Sequence, residues 1–402
     1  MSKWEMVRLS SIATLMTDGN WIESKDQSPD GIRLLQVGNI GKGYYIEKAD
    51  RAKYISEETF VKLKCTEVFD GDVLVSRLPD PIGRACIVPK LDTKLITAVD
   101  CTIIRTLDEK CCSRYLLHFL CSPQYFWQIE KFIVGSTRSR ISRTNLQSIS
   151  LPLPPLLVQQ KIADILDRAR TLIEKRKEQI AKLDLLAKSQ FIEMFGDPVT
   201  NPMGWDVISL RESSMRISDG PFGSNLKTEH YKDIGVRVIR LGNIGVSKFM
   251  DNDKAFISVE HYETLKKHTC LPNDIIIGTL GEPNLRACIL PDYIEKAINK
   301  SDCVHYKPNK NIANTHFVCE YLNQPAVLSI AGGSIHGQTR SRISMNQVAA
   351  LPIFLPPLDQ QHQFADFVRA NEKSKFELQQ GLEKLELLYK SLMQKCFGGE
   401  VF

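Results

Sequence analysis

Two stretches of the chain carry apolar residues at alternating steps of four and three. The first runs through Ile162, Leu166, Ala169, Ile173, Ile180, Leu183, Ala187 and Met194, with Arg176 and Gln190 as polar interruptions. The second runs through Phe364, Val368, Leu378, Leu382, Leu385, Tyr389, Leu392 and Cys396, with Asn371 and Lys375 interrupting. That period puts the apolar side chains on one helix face and is the period of a coiled-coil seam. Each stretch follows a proline pair, Pro154-Pro155 and Pro356-Pro357, and closes at a glycine suited to a C-cap, Gly196 and Gly398. The pattern predicts two helices of roughly 40 residues, each ~60 Å long. Neither helix can bury so long a seam on a small domain. Packing on each other is the simplest solution; a coiled coil joining two chains is the alternative.

The remaining segments, 1–153 and 201–355, mix short β-rich runs with turn residues. Asp72-Val73-Leu74-Val75 and Asp274-Ile275-Ile276-Ile277 read as buried strands preceded by turns.

The two halves are copies of one unit. Gly135-Ser136-Thr137-Arg138-Ser139-Arg140-Ile141-Ser142 recurs as Gly337-Gln338-Thr339-Arg340-Ser341-Arg342-Ile343-Ser344. The same offset carries Leu153-Pro154-Pro155-Leu156 onto Leu355-Pro356-Pro357-Leu358, Arg84-Ala85-Cys86-Ile87 onto Arg286-Ala287-Cys288-Ile289, and Asp100-Cys101 onto Asp302-Cys303. It also carries Leu183 onto Leu385 and Phe195-Gly196 onto Phe397-Gly398. Gly38-Asn39-Ile40-Gly41 returns as Gly242-Asn243-Ile244-Gly245, slightly displaced. One register across so many blocks is a tandem duplication. Segments 18–70 and 219–272 match poorly, which suggests one scaffold carrying two unlike surfaces. The predicted class is α+β: two tandem mixed α/β domains, 1–153 and 201–355, separated by two long helices, 154–200 and 356–402. Antiparallel pairing of those helices would relate the halves by a pseudo-twofold axis and put the globular parts at opposite ends of a rod.

Composition narrows the chemistry. The 402 residues are 43% hydrophobic and 25% charged, with a net charge of +5, which permits nucleic-acid binding without showing it. No apolar run approaches the length of a membrane span. The start, Met1-Ser2-Lys3-Trp4-Glu5, lacks the apolar stretch of a signal peptide. The 11 cysteines form no C-x-x-C pair and read as reduced, buried thiols of a cytoplasmic protein rather than as metal ligands. The eight histidines show no metal spacing.

The strongest candidate for ligand contact is Thr137-Arg138-Ser139-Arg140 with its copy Thr339-Arg340-Ser341-Arg342. Each precedes a capping signal, Ser142-Arg143-Thr144-Asn145 and Ser344-Met345-Asn346-Gln347, so a short helix should start there and stop before Pro152 or Pro352. Arginine forks beside free helix N–H groups suit a phosphate. A structural loop whose arginines pair with local carboxylates is the plainer alternative. Lys42, Arg77, Lys227 and Lys248 complete the basic candidates. The loops Asp18-Gly19-Asn20-Trp21 and Gly220-Pro221-Phe222-Gly223-Ser224-Asn225-Leu226-Lys227 lack P-loop spacing; they are groove-entering loops or ordinary turns. Gly38-Asn39-Ile40-Gly41-Lys42-Gly43 has the wrong spacing for a dinucleotide fingerprint and reads as a strand-end turn.

Neither of two enzyme readings holds. Pro79-Asp80 with Asp92-Thr93-Lys94 imitates a metal-dependent nuclease, but the copy offers Glu282 with Ile294-Glu295-Lys296, which breaks the spacing. The Leu-Pro-Pro-Leu runs lack the amide or carboxylate and the aromatic that a DNA methyltransferase needs beside its proline pair.

Taken in order, these motifs resemble the type I restriction-modification specificity subunit family. The resemblance rests on the duplicated Thr-Arg-Ser-Arg-Ile-Ser block, on Leu-Pro-Leu-Pro-Pro-Leu with Gln159-Gln160, and on Phe354-Leu355-Pro356-Pro357-Leu358-Asp359-Gln360-Gln361. Gly38-Asn39-Ile40, Gly71-Asp72-Val73-Leu74 and Asn273-Asp274-Ile275-Ile276 add to it, and it spans essentially the whole chain. It implies two target-recognition domains, each reading half of a bipartite double-stranded DNA site, and helices that act as a ruler and bind two modification (methyltransferase) subunits. Those subunits would hold S-adenosylmethionine and methylate a flipped adenine; restriction subunits that join would supply ATP- and Mg-dependent cleavage. No catalytic residue, metal or cofactor is expected on this chain. The family often has Glu-Gln after the proline pair, where this chain has Val158-Gln159 and Asp359-Gln360, which touches only local contacts with the modification subunit. A non-catalytic scaffold, or a recognition subunit of a methylation-only system, remains the alternative.

Overall fold

The computed structural model describes residues 3–133, 139–281, 283–331 and 342–402. The chain divides into two compact units: Met1–Lys177 with Gln380–Phe402, and Glu178–Gln379.

In the first unit a four-stranded antiparallel sheet has the order Ala13–Asp18, Cys101–Thr106, Val73–Ser76, Ala85–Ile87. A second sheet has the order Lys53–Ile55, Ile32–Leu35, Leu95–Thr97, its last pair parallel. A two-stranded ladder, Met6–Arg8 with Ser150–Pro152, ties the start of the unit to the approach of the long helix. The expected central strand is Val73–Ser76, and all four of its residues are buried. Alternation explains the unbroken apolar run. Val73 and Val75 face a core shared with the helices Ser113–Leu120 and Pro123–Glu130. Leu74 faces the opposite core, with Leu35, Ile40 and Leu95. A strand covered on both faces needs no polar side.

The second unit repeats this plan. Its four-stranded sheet has the order Ser214–Ser218, Cys303–Pro308, Ile275–Gly278, Ala287–Ile289. Ile275 and Ile277 enter the helical core while Ile276 enters the other. In the counterpart of the small sheet, edge strands Tyr231–Lys232 and Thr269–Cys270 flank Ala255–Ile257, Val236–Ile239 and Ala297–Asn299, where the first unit makes the isolated bridges Ser28–Tyr54 and Val68–Leu95. Both edge strands fall in the segment that matches poorly between copies.

The long helices span Leu156–Phe195 and Leu358–Gly398. Gly196 takes the left-handed cap (φ 81°), as expected, but Gly398 lies inside its helix and Gly399 (φ 79°) makes the cap instead. Each helix is rooted by a buried amide. Gln159 Oε1 accepts from Cys112 N (2.9 Å), and its Nε2 donates to Lys110 O (2.8 Å) and Pro154 O (2.9 Å). Gln361 repeats this with Asn314 N (2.8 Å), Ile312 O (3.0 Å) and Pro356 O (2.8 Å). The glutamines after the proline pairs therefore point inward.

The seam is buried at its roots and half-buried farther along. Ile162, Leu166 and Ile173 are buried in the first unit, and Phe364 and Val368 in the second; Ile180, Leu183, Leu378, Leu382 and Leu385 are half-buried. In the first unit Met393, Cys396 and Phe397 share a core with Ile162 and Leu166. In the second, Phe191 and Phe195 stack around Phe364 with centroids 5.5 and 5.4 Å away. The seam count missed Phe191, Phe195 and Phe397, because at the helix ends burial shifts from the partner helix to the globular core. Two of the polar interruptions, Asn371 and Lys375, are used, as is Lys177 beside the seam. Asn371 donates to Leu183 O (2.9 Å), Lys375 pairs with Asp184, and Lys177 pairs with Glu386 (3.3 Å). All 11 cysteines are free thiols. Among the described residues no helix is long and apolar enough to cross a membrane.

One buried charge differs between the units. In the first, His118 Nε2 bonds Asp167 Oδ1 (2.8 Å), and that bond holds the Asp167 carboxyl down at about 2. The repeat puts Glu320 at the place of His118. Burial pushes its carboxyl up to about 7 against a hydrogen bond from Ser247; Glu372 adds to the rise, and Lys188 and Lys375 oppose it. A carboxyl raised from 4.5 to about 7 by folding costs stability as pH climbs through that interval, and the full cost stands above it. Glu320→Gln should therefore stabilise the protein by on the order of 3 kcal/mol at pH 8 and by almost nothing at pH 4. Thermal melts at the two pH values check this; an equal gain at both would contradict it.

Candidate nucleic-acid interface

Thr137, Arg138, Thr339, Arg340 and Ser341 lie outside the described residues. What can be described of each basic block is its exit into a short helix. In the first unit Ser139 is half-buried and Arg140 is exposed. Ile141 is fully buried and its N–H donates to Arg77 O (3.3 Å). Ser142 caps the helix Arg143–Ser148, its hydroxyl accepting from Asn145 N (3.1 Å). In the second unit Arg342 is exposed, Ile343 is buried and donates to Thr279 O (3.1 Å), and Ser344 caps Met345–Ala349 in a capping box with Gln347. The isoleucine is the anchor: its burial fixes the arginine before it at the surface.

Beside the residue that receives each isoleucine N–H, Arg77 or Thr279, lies a pair of aspartates that sequence reasoning did not assign. Asp18 ends, and Asp219 directly follows, the first strand of its four-stranded sheet, each followed by a glycine at a close crossing. A Cβ on Gly19 would lie 2.1 Å from Thr97 O, and one on Gly220 2.1 Å from Asn299 O, so no larger residue fits. The partners are Asp100 and Asp302, visible in the sequence only as repeat markers.

The two units neutralise these acids differently. In the first unit Arg77 does so from inside. It is 8% exposed, its Nε is 3.4 Å from Asp18 Oδ1, its Nη2 is 4.0 Å from Asp100 Oδ1, and it donates to Val99 O (2.7 Å). Thr102 adds a hydrogen bond to Asp18 (2.7 Å). Arg77 is thus a correction to the DNA-contact set: it is an internal counter-ion with no surface to offer. In the second unit Thr279 stands in its place, donating to Asp302 O (3.0 Å) just as Arg77 N donates to Asp100 O (2.9 Å). The counter-charge there comes from Arg342, 3.2 Å from Asp302 Oδ1. Burial lifts the Asp219 carboxyl above its ordinary value, while Arg342 holds it down and Asp302 lifts it further. Among the described residues a second cation borders the site in the first unit, Arg143, 3.8 Å from Asp18 Oδ2, where the copy has Met345.

Lys42, Lys227 and Lys248 are all exposed. Lys42 adjoins Gly43, whose carbonyl accepts from Arg170 of the long helix (2.7 Å). Lys248 adjoins Ser247, held by Asn323 (2.9 Å). Lys227 pairs loosely with Glu229 (3.7 Å). No group of three potential metal ligands occurs among the described residues.

Removing Arg77 leaves Asp18 with the more exposed Arg143 and the Thr102 hydroxyl as its remaining partners. Arg77→Ala should cost about 3 kcal/mol of unfolding free energy, whereas Arg140→Ala should stay within about 0.5 kcal/mol. Denaturant titrations of the two variants check this; equal losses would contradict the division of roles.

The family model for the type I restriction modification DNA specificity domain matches residues 1–183 and 224–387. The EcoBI type I restriction enzyme specificity subunit of Escherichia coli is 21% identical over 432 residues, covering 99% of this chain and 86% of that protein. A solved chain from work on complex assembly and conformational transition of the type I restriction-modification system shares the fold with a TM-score of 0.63 and 16% identity, covering 99% of this chain and 98% of that one. The type I S subunit from M. genitalium gives 0.55 and 13%, covering 98% and 96%. The chain therefore belongs to the type I restriction-modification specificity subunit family, whose members recognise DNA and do not catalyse.

Proposed function

We propose that this chain reads an asymmetric, split DNA sequence, one half with residues 1–153 and the other with residues 201–355. The helices within 154–200 and 356–402 pair antiparallel about a pseudo-twofold axis and act as the spacer between the two readers. They also carry two modification subunits, which hold S-adenosylmethionine and methylate adenine. Restriction subunits, where present, bring ATP and Mg; this chain binds none of these cofactors and works in the cytoplasm.

The observation that carries the reading is one scaffold built twice with unlike exposed residues. The strand orders and buried anchors recur, whereas Arg143 becomes Met345 and the edge pairings that are isolated bridges in the first unit are two-residue strands in the second. Arginines repeated in both halves ahead of capped helices suit the sequence-independent grip on phosphates, and unlike loops suit base discrimination. Thr137, Arg138, Ser139 and Arg140, with Thr339, Arg340, Ser341 and Arg342, are assigned to the phosphate grip. Exposed apolar side chains on the long helices support subunit docking: Leu172, Leu387 and Leu388 in the first unit, Leu185 and Phe376 in the second.

The test is duplex binding across a salt series, with the chain alone and with its modification subunits. Wild-type protein should bind one split sequence selectively. Arg140→Ala and Arg342→Ala should each flatten the slope of log K against log salt by about 0.9 per lost phosphate contact. Unchanged slopes in both variants, or no sequence preference in the wild type, would contradict the proposal.

A further inference from the structure

In the first unit a cavity of about 230 Å³ opens between the strand Ile32–Leu35, the turn Val37–Asn39 and the segment leading into Lys53–Ile55. Its wall includes Arg33, Gln36, Gly38, Lys48, Arg51 and Lys53. Arg33 is committed to Glu47. Lys48, Arg51 and Lys53 are exposed. Among the described residues the carboxylate paired with Arg51 is the highly exposed Asp50, at 3.5 Å, a pairing worth little in water. Among the described residues neither Lys48 nor Lys53 has a carboxylate within ion-pair distance. Gly38 makes room for Lys48: a Cβ there would lie 2.7 Å from Lys48 Nζ, so the ammonium lies directly over the turn.

The second unit builds the same turn, Leu241–Asn243, after the strand Val236–Ile239. The scaffold ion pair is kept, Arg237 with Asp251 (2.7 Å) in place of Arg33 with Glu47. The contents of the cavity wall are reversed. Arg240 replaces Gln36, and the atom facing the turn glycine is now a carboxylate: a Cβ on Gly242 would lie 3.3 Å from Asp253 Oδ2. Asp253 pairs with Arg240, and its backbone oxygen accepts from Arg237 (2.9 Å) and Asn243 (2.7 Å). The spot that holds a free ammonium in one copy holds an internally neutralised ion pair in the other.

We propose that the cavity of the first unit takes one backbone phosphate of the bound DNA, gripped by Lys48 and Arg51, and that the second unit has closed the equivalent site with its own Asp253–Arg240 pair. This rests on the DNA-reading function proposed above. An ammonium and a guanidinium that lack fixed carboxylate partners match a phosphodiester. The wall presents no aromatic face on which an extruded base would stack, which sets a base aside. The contact carries no sequence information itself. It makes the electrostatic grip of the first unit stronger than that of the second.

The test uses the full chain with its modification subunits and a duplex carrying its recognition sequence. Lys48→Gln/Arg51→Gln should flatten the salt slope by about 0.9, roughly a threefold smaller affinity loss over a fourfold rise in salt. Lys48→Arg/Arg51→Lys, which keeps both charges, should restore it. Ethylating single phosphates should reveal one position, in the half-site read by the first unit, that weakens wild-type binding but not binding by the Gln variant. An unchanged slope, or no such phosphate for the wild-type protein, overturns the cavity assignment while leaving DNA reading intact. Wild-type protein that binds no DNA overturns both.

Discussion

Each long helix is held to its globular unit by the buried amide of one glutamine, and the use of either unit depends on that joint. Gln159 and Gln361 each close three hydrogen bonds to backbone groups that no other secondary structure serves. Loss of either amide would strand polar groups inside, at about 1–3 kcal/mol apiece. Because those groups lie on the loop before a core helix and on the proline turn, the amide sets where the helix begins and which face it turns inward. Ile162 and Leu166, and likewise Phe364 and Val368, are then delivered to the core as a consequence.

On this rigid frame the units differ mainly in charge placement. One buried arginine, Arg77, neutralises the aspartate pair from inside in the first unit and leaves Arg140 at the surface. Thr279 gives up that task in the second unit, and Arg342 takes it over. The turn at Gly38 faces a lysine, and its counterpart at Gly242 faces an aspartate. His118 in the first unit gives way to Glu320 at the equivalent place in the second. Duplication supplied two equal grips, and substitutions at a few polar positions made them unequal while the apolar core stayed put. A subunit that reads two different half-sequences needs that division between frame and surface.

Much of the frame was legible in the chain. The central strands followed from unbroken apolar runs, the short capped helices from Ser142 and Ser344, and the long helices from their seam. The long-helix ends were less legible. Phe191, Phe195 and Phe397 leave the seam's period because they pack into globular cores, and Gly399 rather than Gly398 forms the cap. The site was half legible. Repetition singled out the arginine blocks, but composition could not separate a surface arginine from an internal counter-ion, so Arg77 was grouped with the wrong set. The aspartates that decide the matter come together only through sheet pairing, between residues far apart in sequence. Asp100 and Asp302 were visible as repeated letters without a role.

The central claim is that each globular part reads its own half of the site. It is tested most directly by exchanging residues 1–153 for the corresponding segment of another specificity subunit and mapping methyladenine in host DNA by single-molecule sequencing. The account predicts a split motif in which one half is new and the other is unchanged. A motif altered in both halves, or in neither, would contradict it.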